Sequence, residues 1–330
     1  VSQSRTGVLL LNLGGPDSLE AVEPFLVNLF SDRDIIQLPL GGLIQPVFAR
    51  LLAKARGPSV RRNYAGIGGR SPQLPLTLDQ ARALETRLNR DGESFVVRVG
   101  MRYWQPRVDE ALDAFVADGV QRVVALPLYP QYSMATTGSS YRDLDRALAA
   151  SPQRRALRVT RIESYAGDAL YLDAMTDTVR QALETFPEER RDQVTLLFSA
   201  HGLPVSFIKR GDPYVGHVAT TVAGIVSRLA VPNRHVLGYQ SRTGPVAWIG
   251  PGTEEVIAQL GREGVKDLLM VAVSFVTDHI ETLYEIDQLF TDEAHAAGIT
   301  TVTRSRALYT HPLFVETLAR MVEQRTGDAA

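Results

Sequence analysis

The sequence predicts an α/β fold made of two similar domains, each a parallel sheet flanked by helices. Short apolar runs alternate with longer helical patterns along the chain, the order expected of strands buried on both faces. The second half also echoes the first. VLLLNLGGP at 8–16 resembles TLLFSAHGLP at 195–204, and RVVALPLYPQYS at 122–133 resembles DLLMVAVSFVTD at 267–278. The first half carries extra residues near 35–75, so the pattern is a duplication with one insertion and not a fixed-period array.

The first strand, Gly7–Leu13, is continuously apolar and stops at Gly14-Gly15-Pro16, a turn signal. A helical pattern at Leu74–Arg90 precedes a strand at Phe95–Gly100. A helix at Pro106–Asp118 precedes a strand at Arg122–Leu128, which Tyr129-Pro130 closes. A weaker strand at Arg158–Ile162 follows. In the second half, strands at Val194–Ser199, His235–Tyr239, Asp267–Phe275 and Thr300–Arg304 alternate with helical patterns. Those helices are Ala169–Thr185, His217–Ala230, Thr253–Glu263, Asp278–Ala297 and Pro312–Gln324. The expected divisions are 1–164, 165–309 and a C-terminal helix within 310–330.

A chain of 330 residues has room for two domains, and 45% apolar residues supply their cores. A formal net charge of −2 argues against a nucleic-acid partner. There is no cysteine, so disulfides, zinc–thiolate sites and cysteine-held iron–sulfur clusters are excluded from this sequence. The first six residues lack the apolar core of a signal peptide, and no apolar run reaches ~18 residues; a soluble cytoplasmic protein is expected. The insertion is unusual. Ile35, Ile36, Leu38, Leu40, Leu43, Ile44, Val47, Phe48, Leu51 and Leu52 are too apolar for an ordinary loop, and Arg50, Lys54, Arg56, Arg61 and Arg62 accompany them. Such a stripe suits a lipid headgroup interface, and it equally suits a helix packed on the sheet with a solvated basic end.

Two segments carry the titratable groups. Leu196–Pro204 and Val273–Leu283 are apolar runs that stop at His201 and His279. Ligands of open α/β sheets bind at the carboxyl ends of strands, so these ends put His201, His279 and Glu281 within reach of one pocket. Small neighbours, Ser199, Ala200 and Gly202, leave His201 accessible. An ordinary imidazole, with a pKa of about 6.5, is largely neutral at cytoplasmic pH and can take a proton. Ser199 and His201 do not make a hydrolase pair, because no Gly-x-Ser-x-Gly elbow is present. Asp278-x-x-Glu281 before an apolar-periodic run is a capping-box pattern. In a regular helix His279 and Glu281 point ~200° apart, so either His279 sits in the loop or the first turn is irregular, as in a π-bulge. Asp278, Glu281 and Glu285 fall near one helix face, where a carboxylate row could pass a hard cation or simply be solvated. Without thiolates, a metal would use imidazole and carboxylate, which favours a transiently held ion such as Fe²⁺. The Thr/Gly/Ser segment at 136–140 is only a weak phosphate signal, since no P-loop lysine or Gly-x-Gly-x-x-Gly accompanies it.

Nine motifs, in order, resemble those of the ferrochelatase family: LLNLGGPDS at 10–18, FSDRDIIQLP at 30–39, IGGRSP at 67–72, GMRYWQP at 100–106, PQYSMATTGSS at 130–140, SAHGLP at 199–204, RGDPY at 210–214, QSRTGPVAWIGP at 240–251 and SFVTDHIETLYEID at 274–287. The resemblance covers nearly the whole chain. It implies two Rossmann-like, chelatase-like domains with a porphyrin cleft between them and a C-terminal helix returning to the first. It implies insertion of ferrous iron into protoporphyrin IX, with iron as substrate and no resident cofactor.

The same resemblance implies residue roles. His201 and Glu281 would face each other across the porphyrin plane, with His201 as proton acceptor or iron ligand. His279 and Asp278 would support Glu281, and Glu285 would continue the acidic path. Leu13, Tyr129, Trp248 and Phe275 would line the macrocycle, Arg102, Tyr103 and Ser133 its polar side, and Arg56, Tyr64 and Ser71 the propionates. The insertion at 35–56 would become a peripheral lip on the inner face of the cell membrane. Arg70 in IGGRSP departs from the small residue the pattern leads one to expect. A cobalt or nickel chelatase and a non-enzymatic porphyrin carrier are the competing readings.

Overall fold

A computed structural model describes residues 5–36, 41–90, 92 and 94–327. The described residues contain eight strands in two all-parallel, four-stranded sheets. The first sheet comprises β1 (Thr6–Asn12), β2 (Phe95–Met101), β3 (Arg122–Pro127) and β4 (Arg158–Arg161), in the order β2-β1-β3-β4. The second comprises β5 (Thr195–His201), β6 (His235–Gln240), β7 (Asp267–Ala272) and β8 (Thr301–Arg304), in the order β6-β5-β7-β8. Both sheets therefore share one wiring, as the sequence echo anticipates. The predicted α/β class with two parallel sheets is what the chain adopts.

The chain divides into two compact units. One is Val1–Tyr129 with Ser133–Ser164 and Val315–Ala330; the other is Pro130–Tyr132 with Tyr165–Phe314. In the first, the central strand β1 is buried from Val8 to Asn12, and Leu9 and Leu11 pack with Val108, Leu112 and Phe115 of the helix Val108–Ala117. The last helix, Pro312–Gly327, places Glu316 and Glu323 against Arg87, at 2.6 and 3.0 Å, on the helix Gln73–Leu88. In the second unit, Leu197 and Met270 of the central strands pack with Ile257 and Leu260 of the helix Thr253–Arg262 and with Ile286 and Phe290. Such runs must be apolar throughout because helices cover both faces.

Three of the departures from the sequence pattern stand out. β7 ends at Ala272, not Phe275, because Ser274 leaves the ladder and its hydroxyl accepts the His201 N–H at 2.9 Å. The predicted helix from Asp278 begins at Glu281 and is a π-helix through Phe290, followed by an α-helical turn at Thr291–Ala296. The insertion is a long helix, Gly41–Ala65, although Pro46, Pro58 and several glycines hide it from propensity. Leu38 and Leu40 of the predicted stripe lie outside the described residues.

Candidate active site

The order β6-β5-β7-β8 places its topological switch between β5 and β7, and open α/β sheets bind ligands at the carboxyl ends of the strands at such a point. His201 is the last residue of β5, and the loop after β7 delivers Ser274, Phe275, His279 and Glu281 to the same edge. Gly202 must be glycine, since a Cβ there would lie 2.7 Å from the Gln240 carbonyl oxygen and against Trp248. The close approach lets the chain turn directly after the histidine.

His201 Nδ1 and Glu281 Oε2 are 2.6 Å apart, with the imidazole 37% and the carboxylate 18% exposed. The two groups that the resemblance places across a macrocycle are in direct hydrogen-bond contact in this structure. Burial disfavours a charged imidazole at His201, but the Glu281 carboxylate outweighs it, and His201 titrates above its ordinary value. Burial likewise opposes a charged Glu281, and the His201 charge and hydrogen bond overcome it, holding the carboxyl well below its usual range. Each group therefore favours the charged form of the other, and His201 holds its proton to higher pH than an ordinary imidazole.

Glu285 continues the row. Ser241 donates to Glu285 Oε2 at 2.6 Å and its oxygen lies 3.1 Å from Glu281 Oε2. Gln240 Nε2 donates to the Glu281 carbonyl at 3.1 Å and to Glu285 Oε2 at 3.2 Å, while Gln240 Oε1 accepts from Ser199 at 2.7 Å. Burial, then the Glu281 charge, pushes the Glu285 carboxyl up to about 7. Ser241 has φ of 62°, in the left-handed region that non-glycine residues rarely occupy. Gln240 and Ser241 belong to the quoted QSRTGPVAWIGP motif, yet nothing in their spacing announced a role.

His279 precedes the π-helix, and burial lowers its pKa despite the nearby carboxylates. Its Nδ1 accepts the Glu281 backbone N–H at 3.2 Å, and its ring packs edge-on against Phe275, centroids 4.4 Å apart. Asp278 does not join the acidic row, nor does it form the capping box. Its Oδ1 accepts from Thr282 at 2.9 Å and lies 3.1 Å from Arg304, and its Oδ2 accepts from Tyr309. Among the described residues no three His, Asp or Glu side chains converge on a metal position. His201, Glu281 and Glu285 form a row linked through Ser241 rather than a closed cage.

Trp248 stands over Gly202, held by its indole N–H to the Thr243 carbonyl at 3.1 Å. On the first unit, Arg102, Tyr103 and Ser133 are committed within the protein. Asp32 Oδ2 accepts from Arg102 (2.8 Å), Tyr103 (2.5 Å) and Ser139 (2.6 Å), and Ser133 caps the π-helical turn Met134–Gly138 through the Ala135 N–H. A cavity of about 550 Å³ adjoins this cluster, lined by charged residues including Arg33, Asp34 and Arg142, and of the predicted site residues only Arg102 and Tyr103 border it. Ser71 and Tyr64 are buried beside Gly15, where an added Cβ would lie 2.5 Å from the Ser71 hydroxyl. Tyr129 is half-buried and its hydroxyl is enclosed; Leu13 follows β1; Arg56 and Arg70 are exposed.

The ferrochelatase family model matches residues 5–326. The chain belongs to the ferrochelatase family. Ferrochelatases of Geotalea uraniireducens and Synechocystis sp. are 48% and 47% identical, covering 97% and 98% of this chain and 98% and 83% of their own. Ferrochelatase activity, the lyase reaction that inserts iron into a porphyrin in haem synthesis, is the activity of this chain. Among solved structures, SirB from Bacillus subtilis with Fe³⁺ aligns with a TM-score of 0.56 at 11% identity, over 98% of this chain and 95% of its own. DR2241 from Deinococcus radiodurans, described as structurally similar to chelatases, aligns with a TM-score of 0.53 at 15% identity, over 96% of this chain and 55% of its own. These two support the chelatase-like fold alone. No helix among the described residues is long and apolar enough to cross a membrane.

Proposed function

We propose that this ferrochelatase takes protoporphyrin IX and ferrous iron, forms protohaem and releases two protons, with His201 as proton acceptor and Glu281 as the group that delivers iron. The observation that carries the reading is the His201–Glu281 pair at 2.6 Å, set at the end of the switch-point strand and continued by Glu285. A carrier needs a pocket and at most an axial ligand. It has no use for a base coupled to a carboxylate row.

The pair suggests an order of events. While Glu281 favours the protonated form of His201, less of the imidazole is free to accept a pyrrole proton. Ferrous iron arriving along Glu285 and Glu281 competes for the carboxylate, withdraws the interaction that keeps His201 charged, and lowers its pKa. The freed imidazole then takes the pyrrole protons in turn as iron enters the ring. Glu285, titrating near neutrality, provides an outlet for them. Iron binding thereby arms the base, and neither step proceeds far alone. Phe275 and Trp248 supply apolar and aromatic walls, and Leu13, Arg56, Tyr64, Ser71 and Tyr129 are retained as porphyrin contacts of the first unit. Arg102, Tyr103 and Ser133 are read as supports. No resident cofactor is required, and iron is consumed as substrate.

The insertion helix supports a peripheral site of action on the cytoplasmic membrane face. Its Gln45, Ala49 and Ala53 are buried, while Ile44, Val47 and Leu51 are 45%, 58% and 65% exposed beside Arg50 and Lys54.

The test is anaerobic incubation with protoporphyrin IX and ferrous iron, following loss of porphyrin fluorescence and growth of the haem spectrum. Wild type should form haem and His201→Ala should lose at least ~10²-fold in rate, the usual worth of a general base. Porphyrin binding without haem would defeat the reading and direct the assay to coproporphyrin and to cobalt.

A further inference from the structure

We propose that Arg304 is a positioning residue for the iron-delivery step: its guanidinium clamps the π-helix on both sides of Glu281 and so fixes Glu281 against His201. The inference rests on the proposed role of Glu281. Arg304 is the last residue of β8, a strand that carries none of the groups assigned to the chemistry. One arm, Nη1, lies 3.1 Å from Asp278 Oδ1, three residues before Glu281. The other face grips Asp287, six residues after Glu281, with Nε at 2.6 Å from Oδ1 and Nη2 at 2.9 Å from Oδ2. The planar fork of arginine makes this two-sided grip possible; the point charge of a lysine serves one carboxylate at a time.

A π-helix needs such support. Its i→i+5 bonding is rare beyond a single turn and usually marks a functional site. Here it runs for ten residues, Glu281–Phe290. Register matters because one residue of slippage would rotate Glu281 off His201 and Glu285 off Ser241. The Asp278 side of the clamp is closely tied to that register. Tyr309 donates to Asp278 Oδ2, Thr282 donates to Asp278 Oδ1, and Thr282 Oγ1 lies 3.0 Å from the His279 backbone N–H that it accepts. Through these bonds Arg304 and Tyr309 hold the turn whose next side chain, His279, receives the Glu281 N–H. Arg304 and Asp278 are 12% and 10% exposed, so the clamp works with little competition from water.

Asp287→Asn is the sharpest test, because Asp287 is 33% exposed and touches none of the groups assigned to iron or porphyrin. It loosens one arm and leaves the Asp278 side intact. Expected are an unchanged Tm, unchanged porphyrin affinity by fluorescence quenching, a rise in KM for Fe²⁺ and a fall in kcat totalling about fivefold or more in kcat/KM, and faster hydrogen exchange across 281–290. Arg304→Lys should behave in the same direction, since it keeps the charge and loses the fork. Wild-type iron kinetics and wild-type exchange in Asp287→Asn would overturn the proposal. Should wild type itself make no haem while Asp287→Asn still speeds exchange across 281–290, the reading of Glu281 fails and the clamp on the helix stands.

Discussion

The two units are copies of one plan with different contents at the decisive strand ends. In the first, the Leu128 N–H donates to the Leu11 carbonyl; in the second, the Val273 N–H donates to the Ser199 carbonyl. These bonds set the register, and two residues further on, Leu13 stands where His201 stands. After the third strand both units make π-helical structure, Met134–Gly138 in one and Glu281–Phe290 in the other. The first unit keeps its buried carboxylate, Asp32, closed with three donors on one oxygen. The second leaves His201 and Glu281 partly open and coupled to each other and to Glu285. The fold supplies the location twice. What sets the second location apart is a coupled histidine–glutamate pair that stays partly exposed.

The largest effect should come from uncoupling that pair. Glu281→Gln keeps the shape and removes the charge, and haem formation should fall about 10²-fold, the scale of losing a positioned charge-assisted group. The pH profile carries the sign. His201 is held above its ordinary pKa chiefly because Glu281 overcomes burial, so the wild-type rate should climb as pH rises through that raised value. In Glu281→Gln the limb should move to lower pH, and the His201 imidazole resonance should titrate lower with it. An unmoved titration would break the comparison, since His201 would then differ from Leu13 only in being polar.

Asp32→Asn asks whether the first unit's cluster is scaffold. Breaking a buried pair on one side leaves Arg102 with only Asp143, at 3.6 Å, and costs about 3 kcal/mol, measured as a lowered unfolding midpoint. Burial would raise the Asp32 pKa, but Arg102, Ser139 and Tyr103 outweigh it and lower it. Its stabilisation is therefore complete above the unfolded carboxyl value of about 3.9 and is lost as pH falls through the lower folded value. The variant should show a flatter acid limb of stability. A fall in porphyrin affinity with stability intact would instead return Arg102 and Tyr103 to the substrate.

The central strands were legible as apolar runs because helices cover both of their faces, whereas the edge strands Arg158–Arg161 and Thr301–Arg304 are polar and only partly buried and were read from the alternation of elements. The angle between His279 and Glu281 left two readings, His279 in the loop or an irregular first turn; His279 precedes the helix, and the helix after it is π-helical. Asp278 misled for a physical reason: a capping-box spacing is satisfied in sequence even when Arg304, Tyr309 and Thr282 claim the carboxylate. Arg304 and Tyr309, like Ser241, arrive from distant strands and loops, and no local pattern encodes them. His201 was found by position, but its charge state depends on a neighbour 80 residues away.

The smallest effect concerns what the first unit has and the second lacks. The β1–β2 connection carries the long helix Gly41–Ala65, whereas the β5–β6 connection carries the short turn Val205–Lys209 and the helix Tyr214–Leu229. Small residues on one face of the long helix pack inward, leaving Ile44, Val47 and Leu51 outward at i, i+3 and i+7. Leu51→Asp should change stability by no more than about 0.5 kcal/mol, because the side chain is already 65% exposed. Cosedimentation with anionic lipid vesicles should nonetheless weaken about tenfold, a difference of about 1.4 kcal/mol. Added salt should weaken wild-type binding too, through Arg50 and Lys54. Equal vesicle binding by both proteins would assign the patch to something other than a lipid surface, and the extra helix would then distinguish the units for a different reason.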